Sequence, residues 1–142
     1  MRNKVVLAVE DEVSDQLLIA RALGRLGDEV KLVSVETGGD ALDYVFRRGT
    51  FVSRLASEAP DLVLLDHSLA DMTGLDVLKS IRDNPDSHRL RVVVFSARHV
   101  HDDRDMYDLF GVSGFVIKPD DPDEFQDAVL EIVEAHLSIK AV

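Results

Sequence analysis

The sequence predicts an open, doubly wound α/β domain, and two observations lead to this fold class. Short apolar runs without in–out alternation recur along the chain, as in strands that are buried on both faces of a parallel sheet. Longer segments with helical periodicity separate these runs, which gives five strand–helix units on 142 residues. The predicted strands are residues 5–9, 30–35, 62–65, 92–95 and 115–117.

A predicted helix follows each of the first four strands. The first helix carries an apolar stripe at positions i, i+3, i+4 and i+7 that ends near Gly27. The members of this stripe are Ile19, Ala22, Leu23 and Leu26. The other three helices are expected over residues 40–48, 75–82 and 102–110.

The last predicted helix has the clearest start. Asp121 suits the N-cap, Pro122 the first helical position and Glu124 the third, and an apolar stripe follows. Residues 49–60 are longer than an ordinary loop between a helix and a strand. This segment either extends the second helix or forms a short extra turn, and the sequence does not decide between the two.

Composition and length limit the classes of protein. A chain of 142 residues supports one well-buried core, so we expect a single domain over residues 1–142 with no second domain attached. The absence of cysteine excludes disulfides, thiolate zinc sites and cysteine nucleophiles. The short N-terminal apolar run is unlike a signal peptide or a membrane span, which predicts a cytoplasmic protein. A net charge of −11 disfavours binding to nucleic acid or anionic membranes.

Polar side chains follow four of the predicted strands, at the edge of an open α/β sheet where ligands bind. Glu10 and Asp11 follow the first strand, Asp66 the third, Ser96 the fourth and Lys118 the fifth. Each alone fits an ordinary role such as a helix cap, a turn former or a solvated lysine. Together they predict one site that combines carboxylates, a hydroxyl and an ammonium group.

The chemistry of this set favours a phosphoryl-transfer site that uses Mg²⁺. Two unit charges about 4 Å apart repel by roughly 1 kcal/mol in water and about 4 kcal/mol at an intermediate dielectric. A divalent cation relieves this repulsion, and Mg²⁺ prefers carboxylate oxygens, retained waters and a phosphate oxygen. With a hydroxyl and a lysine to hold phosphoryl oxygens, the set is suited to forming an aspartyl phosphate.

Four segments in this order resemble the receiver domain of two-component response regulators over nearly the whole chain. They are VVLAVEDE, PDLVLLDHSLADMTG, VVVFSAR and GFVIKPDDPDEF. The resemblance implies a flavodoxin-like five-stranded parallel sheet with strand order 2-1-3-4-5 and five flanking helices. It also implies a signalling switch rather than an enzyme, which accepts a phosphoryl group from a sensor histidine kinase.

The resemblance assigns a role to each acidic residue. Asp66 corresponds to the phosphoacceptor, which attacks the phosphohistidine of the kinase. Asp11, Asp66 and the backbone carbonyl of Ser68 are expected to bind Mg²⁺ directly, and Glu10 mainly through water. Mg²⁺ is thus the implied cofactor.

The remaining family positions form the expected switch. Lys118 is expected to pair with a phosphoryl oxygen, and the Lys118–Pro119 bond to be cis. Ser96 and the Ala97 amide are expected to bind the phosphoryl group, and Phe115 to turn inward. This shift would alter the output face formed by the fourth helix, the fifth strand and the fifth helix.

Two further features are specific to this chain. Ala70 stands where the family usually has proline, which predicts a less rigid loop after Asp66, and Ser68 and Arg98 occupy positions that tune phosphoryl hydrolysis. The sequence ALDYVFRRG with the extra segment before Asp61 resembles stand-alone regulators that pair with bacterial phytochromes. A bacteriophytochrome kinase is therefore the expected partner.

The sequence leaves alternative functions open. A receiver can also pass its phosphoryl group to a histidine phosphotransfer protein in a phosphorelay, or act as a phosphate sink for a kinase. A haloacid dehalogenase-like phosphatase needs a second acid two residues after its nucleophile, where this chain has Ser68. A flavin or nucleotide binder needs a glycine-rich loop after the first strand, which the sequence lacks. A receiver that works without phosphorylation would not need its intact site residues.

Histidines and the C-terminal apolar residues raise two further questions. His99 and His101 lie near acids, but without a third well-spaced ligand they are interpreted as solvated loop residues. Several apolar residues near or beyond the stripe of the last helix either complete the core or form a dimer contact, and we predict a dimer. They are Leu130, Leu137, Ile139 and Val142.

Overall fold

The computed structural model describes residues 3–97 and 103–139, and within them it contains a five-stranded parallel sheet. The strands are β1 (Lys4–Val9), β2 (Val30–Val35), β3 (Leu62–Leu65), β4 (Arg91–Ser96) and β5 (Gly114–Ile117). Neighbouring strands pair in parallel in the order β2-β1-β3-β4-β5. The expected fold class and strand order are therefore confirmed, and each predicted strand lies within two residues of its observed bounds.

Five α-helices lie in the described ranges, and they cover both faces of the sheet. They are α1 (Val13–Gly24), α2 (Gly38–Phe46), α3 (Gly74–Asp83), α4 (Arg104–Leu109) and α5 (Pro122–Leu137). Helices α1 and α5 pack on one face, and α2, α3 and α4 pack on the other. Among the described residues, no helix combines the length and apolar character that crossing a bilayer requires.

The core explains why the strands lack polar alternation. In β1, Val6 and Ala8 point into the layer beneath α1 and α5, whereas Leu7 and Val9 point into the opposite layer. All four residues are at most 1% exposed. Both faces of the strand are buried, as the continuous apolar runs in the sequence predict.

The last helix starts as predicted. The Asp121 carboxylate accepts hydrogen bonds from the backbone N–H groups of Asp123 and Glu124, and Pro122 is the first helical residue. Leu130 and Leu137 are each 5% exposed and complete the core, with Ile139 packed against them. Leu130 and Leu137 therefore complete the core, one of the two roles that the sequence left open, and the dimer stays a prediction.

Residues 49–60 form extra turns and do not extend α2. Helix α2 ends at Phe46, and two short 3₁₀ turns follow at Gly49–Phe51 and Ala56–Glu58. The buried Arg54 guanidinium holds this segment by donating to three backbone carbonyl oxygens. Its acceptors are Tyr44 at 2.8 Å, Leu55 at 3.0 Å and Val45 at 3.4 Å.

Candidate functional site

The carboxyl ends of β1, β3, β4 and β5 bring the predicted site residues together. Parallel register places Val9 beside Leu65 and Ser96 beside Ile117, so the residues that follow these strands lie at one edge. A cleft of about 520 Å³ opens at this edge. Its lining includes Asp11, Glu12, Asp15, Asp66, Ser68, Ser96, Ala97, Lys118 and Pro119.

Three carboxylates converge at this edge of the sheet, and two of them, Asp11 and Asp66, line the cleft. Ligand oxygens of Glu10, Asp11 and Asp66 all lie within 4.8 Å of one another. Glu10 is 2% exposed and Asp66 is 8% exposed, whereas Asp11 is open to solvent. The backbone N–H of Asp66 donates to the Val9 carbonyl at 3.1 Å, which fixes β3 against β1 at the cluster.

The Lys118 ammonium lies among carboxylates. Its Nζ is 2.7 Å from Glu10 Oε1, 2.8 Å from Asp15 Oδ2 and 3.6 Å from Asp66 Oδ2. Burial alone would lower the pKa of Lys118, but its hydrogen bonds to Asp15 and Glu10 outweigh burial and raise it. Lys118 is therefore a fixed positive charge beside Asp66.

The surroundings of Glu10 disfavour the charged form of its carboxyl group. Burial, reinforced by the neighbouring acids, raises the pKa of Glu10 to about 9, although Lys118 opposes this shift. Its second oxygen, Oε2, is buried and accepts no hydrogen bond from any described residue. A buried unpaired oxygen beside two further carboxylates is suited to a divalent cation and its waters, so the donor set fits Mg²⁺.

Ser96 joins Asp66 to the next residue of the loop. Its hydroxyl donates to Asp66 Oδ1 at 2.6 Å and accepts from the His67 N–H at 3.2 Å. Ser96 is 1% exposed, so both hydrogen bonds lie in a dry environment. Ala97 follows at the rim of the same cleft.

Phe115 lies in the layer between the sheet and α4. Its ring packs edge-to-face on Tyr107, with 5.6 Å between centroids, and the Arg104 guanidinium lies 5.2 Å from its centroid. The ring is half-buried in this arrangement. Its expected inward turn stays a prediction.

The prediction of a cis bond before Pro119 is wrong. Within the described ranges every peptide bond is trans, including Lys118–Pro119. The trans form is favoured even before proline, by about 0.5–1 kcal/mol. The Lys118 N–H donates to the Ser96 carbonyl at 2.8 Å, and the chain then reaches the N-cap of α5 at Asp121. The trans peptide bond accommodates this path.

The loop after Asp66 is held by contacts that do not involve Ala70. The Asp71 carboxylate accepts hydrogen bonds from the N–H groups of Gly38 and Gly39, both at 2.9 Å, at the start of α2. Ser68 and Thr73 form an antiparallel bridge across the loop. These contacts tie the loop to α2 without the proline that the family usually has.

Sequence reasoning missed two residues of this region. Asp15 lies one helical turn after Asp11, and that spacing could have placed it near the same edge. Tyr107 is fully buried in the six-residue helix α4, whose sequence RDMYDL has no clear apolar stripe, so only its tertiary contacts reveal its position. Arg98, His99, His101 and Val142 lie outside the described residues.

These features define a class of molecule: a doubly wound α/β domain with a carboxylate–lysine site at the carboxyl edge of its parallel sheet. The model of the response regulator receiver domain matches residues 6–130, and the chain therefore belongs to this family. This confirms the resemblance seen in the sequence. Receiver domains are signalling switches that in general bind Mg²⁺ and are phosphorylated on an aspartate.

The relatives and solved structures that this chain resembles are response regulators, and one of them is named as a phytochrome response regulator. The response regulator Rcp1 of Synechocystis sp. is 34% identical over 100 residues, which are 70% of this chain and 66% of Rcp1. The crystal structure of the phosphorylated cyanobacterial phytochrome response regulator RcpA has a TM-score of 0.89 and 30% identity, over 96% of this chain and 95% of RcpA. The crystal structure of the Mn²⁺-bound form of Rcp1 has a TM-score of 0.86 and 26% identity, over 98% of this chain and 99% of that chain.

The relatives differ in length. The chain spans 55% of the next curated relative, the Arabidopsis thaliana response regulator ARR15, and only 26% of the Vibrio regulatory protein LuxO. The match to these longer proteins is thus a match to part of each.

Proposed function

We propose that this chain is a receiver that accepts a phosphoryl group from a sensor histidine kinase onto Asp66. One observation carries the proposal: Ser96 and Lys118 contact Asp66 within a carboxylate cluster in which Glu10 Oε2 accepts no hydrogen bond from the described part of the chain. The cleft gives a donor access to this group. The proposed place of action is the cytoplasm.

The side chains divide the reaction between them. An Asp66 carboxylate oxygen forms the new bond to phosphorus while the phosphohistidine N–P bond breaks, and the leaving imidazole takes up a proton. Lys118, already 3.6 Å from Asp66 Oδ2, would neutralise charge on a phosphoryl oxygen. Ser96 and the Ala97 amide would donate to the others.

The metal site follows from the same cluster. Asp11, Asp66 and the Ser68 carbonyl would hold Mg²⁺ directly, with Glu10 acting through water. When bound, the ion supplies positive charge to the phosphoryl oxygens. The roles of Ser68 and Arg98 in tuning hydrolysis are part of the same proposal.

The partner proposed for this receiver is a bacteriophytochrome kinase. Its support is the similarity to RcpA and Rcp1 over nearly the whole chain. The signal would leave through the face formed by α4, β5 and α5. A phosphorelay to a histidine phosphotransfer protein, or a phosphate sink, is the alternative outlet.

Transfer from labelled phosphorylated kinases tests the proposal. We expect rapid label uptake with Mg²⁺ by the wild type and none by Asp66→Asn, because the amide is not a nucleophile for the phosphoryl group. Asp86→Asn is the matched control, since Asp86 is exposed and lies outside the cleft. A bacteriophytochrome kinase should donate faster than unrelated kinases.

Equal labelling of the wild type and Asp66→Asn would contradict the phosphoacceptor assignment. Equal rates from all kinases would instead contradict only the phytochrome partner.

A further inference from the structure

A cluster of three side chains connects the residue after Asp66 to the start of α4. The His67 Nδ1 is hydrogen-bonded to the Tyr107 hydroxyl, and the His67 Nε2 lies 3.2 Å from Asp103 Oδ2. Asp103 directly precedes α4, and Tyr107 is in its second turn. We refer to His67, Tyr107 and Asp103 as the α4 latch.

The latch is tightly packed. Tyr107 is fully buried, and its ring contacts His67 and Phe115 edge-to-face, each with 5.6 Å between centroids. A Cβ on Gly74 would lie 2.8 Å from the Tyr107 hydroxyl and 2.5 Å from the Asp66 carbonyl oxygen. The Tyr107 hydroxyl thus occupies the space that a side chain at the start of α3 would fill.

The latch also shares a hydrogen bond with the phosphoacceptor. The Ser96 hydroxyl bridges Asp66 Oδ1 and the His67 N–H. Phosphorylation leaves Asp66 Oδ1 as a neutral acyl oxygen and adds charged phosphoryl oxygens beyond it. Because hydrogen bonds to charged oxygens are roughly twice as strong as neutral ones, the Ser96 side chain would turn away from Oδ1 and the His67 N–H toward the phosphoryl group. The His67 N–H would then lose its acceptor at the base of the latch.

We propose that the α4 latch holds the first turns of α4 against the Asp66 loop while Asp66 is unmodified, and that phosphorylation releases it. The proposal rests on the proposed function, because its trigger is a phosphoryl group on Asp66. Since Phe115 packs on Tyr107, release of the latch also frees the contact between α4 and β5.

Amide hydrogen exchange in α4 tests the latch. In the unmodified protein, Tyr107→Phe removes only the hydroxyl and should raise exchange of the α4 amides about fivefold, the loss expected from one net hydrogen bond. Wild type with Mg²⁺ and beryllofluoride, a phosphoryl mimic, should show a similar rise. The modified Tyr107→Phe protein should gain little more.

Two further variants separate the latch from general loosening. Tyr44→Phe is the matched control, because the Tyr44 hydroxyl donates to the Glu58 carbonyl away from α4, so α4 exchange should not change. Asp103→Ala removes the other end of the latch. It should leave folding intact, since among the described residues the Asp103 side chain forms no capping hydrogen bond at the start of α4. It should raise α4 exchange as Tyr107→Phe does.

If the wild type takes up the labelled phosphoryl group normally but its α4 exchange does not change with beryllofluoride, the proposed function stands and the latch is overturned. Unchanged α4 exchange in unmodified Tyr107→Phe and Asp103→Ala would also overturn it. If no label is taken up, the proposed function is overturned. Amide exchange in unmodified Tyr107→Phe and Asp103→Ala then still shows whether these side chains hold α4.

Discussion

Single residues at the cleft are constrained by burial as well as by charge. Glu10 and Lys118 form a pair whose side chains are 2% and 13% exposed, and Asp15 shares the ammonium. Burial alone would raise the pKa of Asp15, but its hydrogen bonds with Glu10 and Lys118 keep it below its usual value. Removing one member would leave an uncompensated charge, which costs more than the pair contributes.

At Gly74 the residue type is limited by space and not by charge. Gly74→Ala should reduce the free energy of unfolding by about 1–3 kcal/mol, the usual cost of overpacking, because its Cβ would meet the Asp66 carbonyl and the Tyr107 hydroxyl. Urea denaturation at constant m-value measures the change.

Gly24→Ala is the matched control for this substitution. Gly24 is the last residue of α1, and no atom outside its own helix and neighbours lies within 4 Å of its Cβ position. Alanine there should be neutral or stabilising by up to about 1 kcal/mol. Equal stability of the two alanine variants would contradict the steric account of Gly74.

Among the elements, the segment of residues 49–60 packs around one buried arginine. The Arg54 guanidinium satisfies the carbonyl oxygens of Tyr44, Leu55 and Val45, and its carbon Cζ lies 5.2 Å from the centroid of the Tyr44 ring. An arginine that is 9% exposed therefore replaces the hydrogen bonds that a continued helix would have supplied.

Arg54→Met should lower the free energy of unfolding by roughly 2–3 kcal/mol, because it removes three hydrogen bonds from a charged group, one of them buried. Arg48→Met is the control: Arg48 forms an exposed ion pair with Asp43, so its loss should cost less than about 1 kcal/mol. Denaturant unfolding of both variants checks this, and similar losses would show that Arg54 has no special role in the segment.

The success of sequence reasoning also depended on the element. Local signals sufficed for β2, β3 and the start of α5, where apolar runs or the Asp121 cap mark the bounds. Residues 49–60 stayed undecided because a buried arginine has no periodic signature. Asp15 was missed because an acid in the first turn of a helix already has an ordinary explanation in the helix dipole.

Across the whole molecule, acidic residues are in excess and several of them meet at one edge of the sheet. The net charge is −11, and Glu10, Asp11 and Asp66 concentrate part of it where Lys118 is the neighbouring cation. The site residues could be predicted because parallel strands deliver their carboxyl ends to one edge. Their pairing and the trans bond before Pro119 required the tertiary structure.

Mapping the phosphoryl group after treatment with acetyl phosphate tests the function without a kinase. Borohydride reduction converts an aspartyl phosphate into homoserine, which peptide mass spectrometry locates. With Mg²⁺ we expect homoserine at Asp66 alone, and with a chelator in excess we expect none. Conversion at Glu10, Asp11 or Asp15 in place of Asp66, or equal conversion without Mg²⁺, would contradict the proposed phosphoacceptor and its metal site.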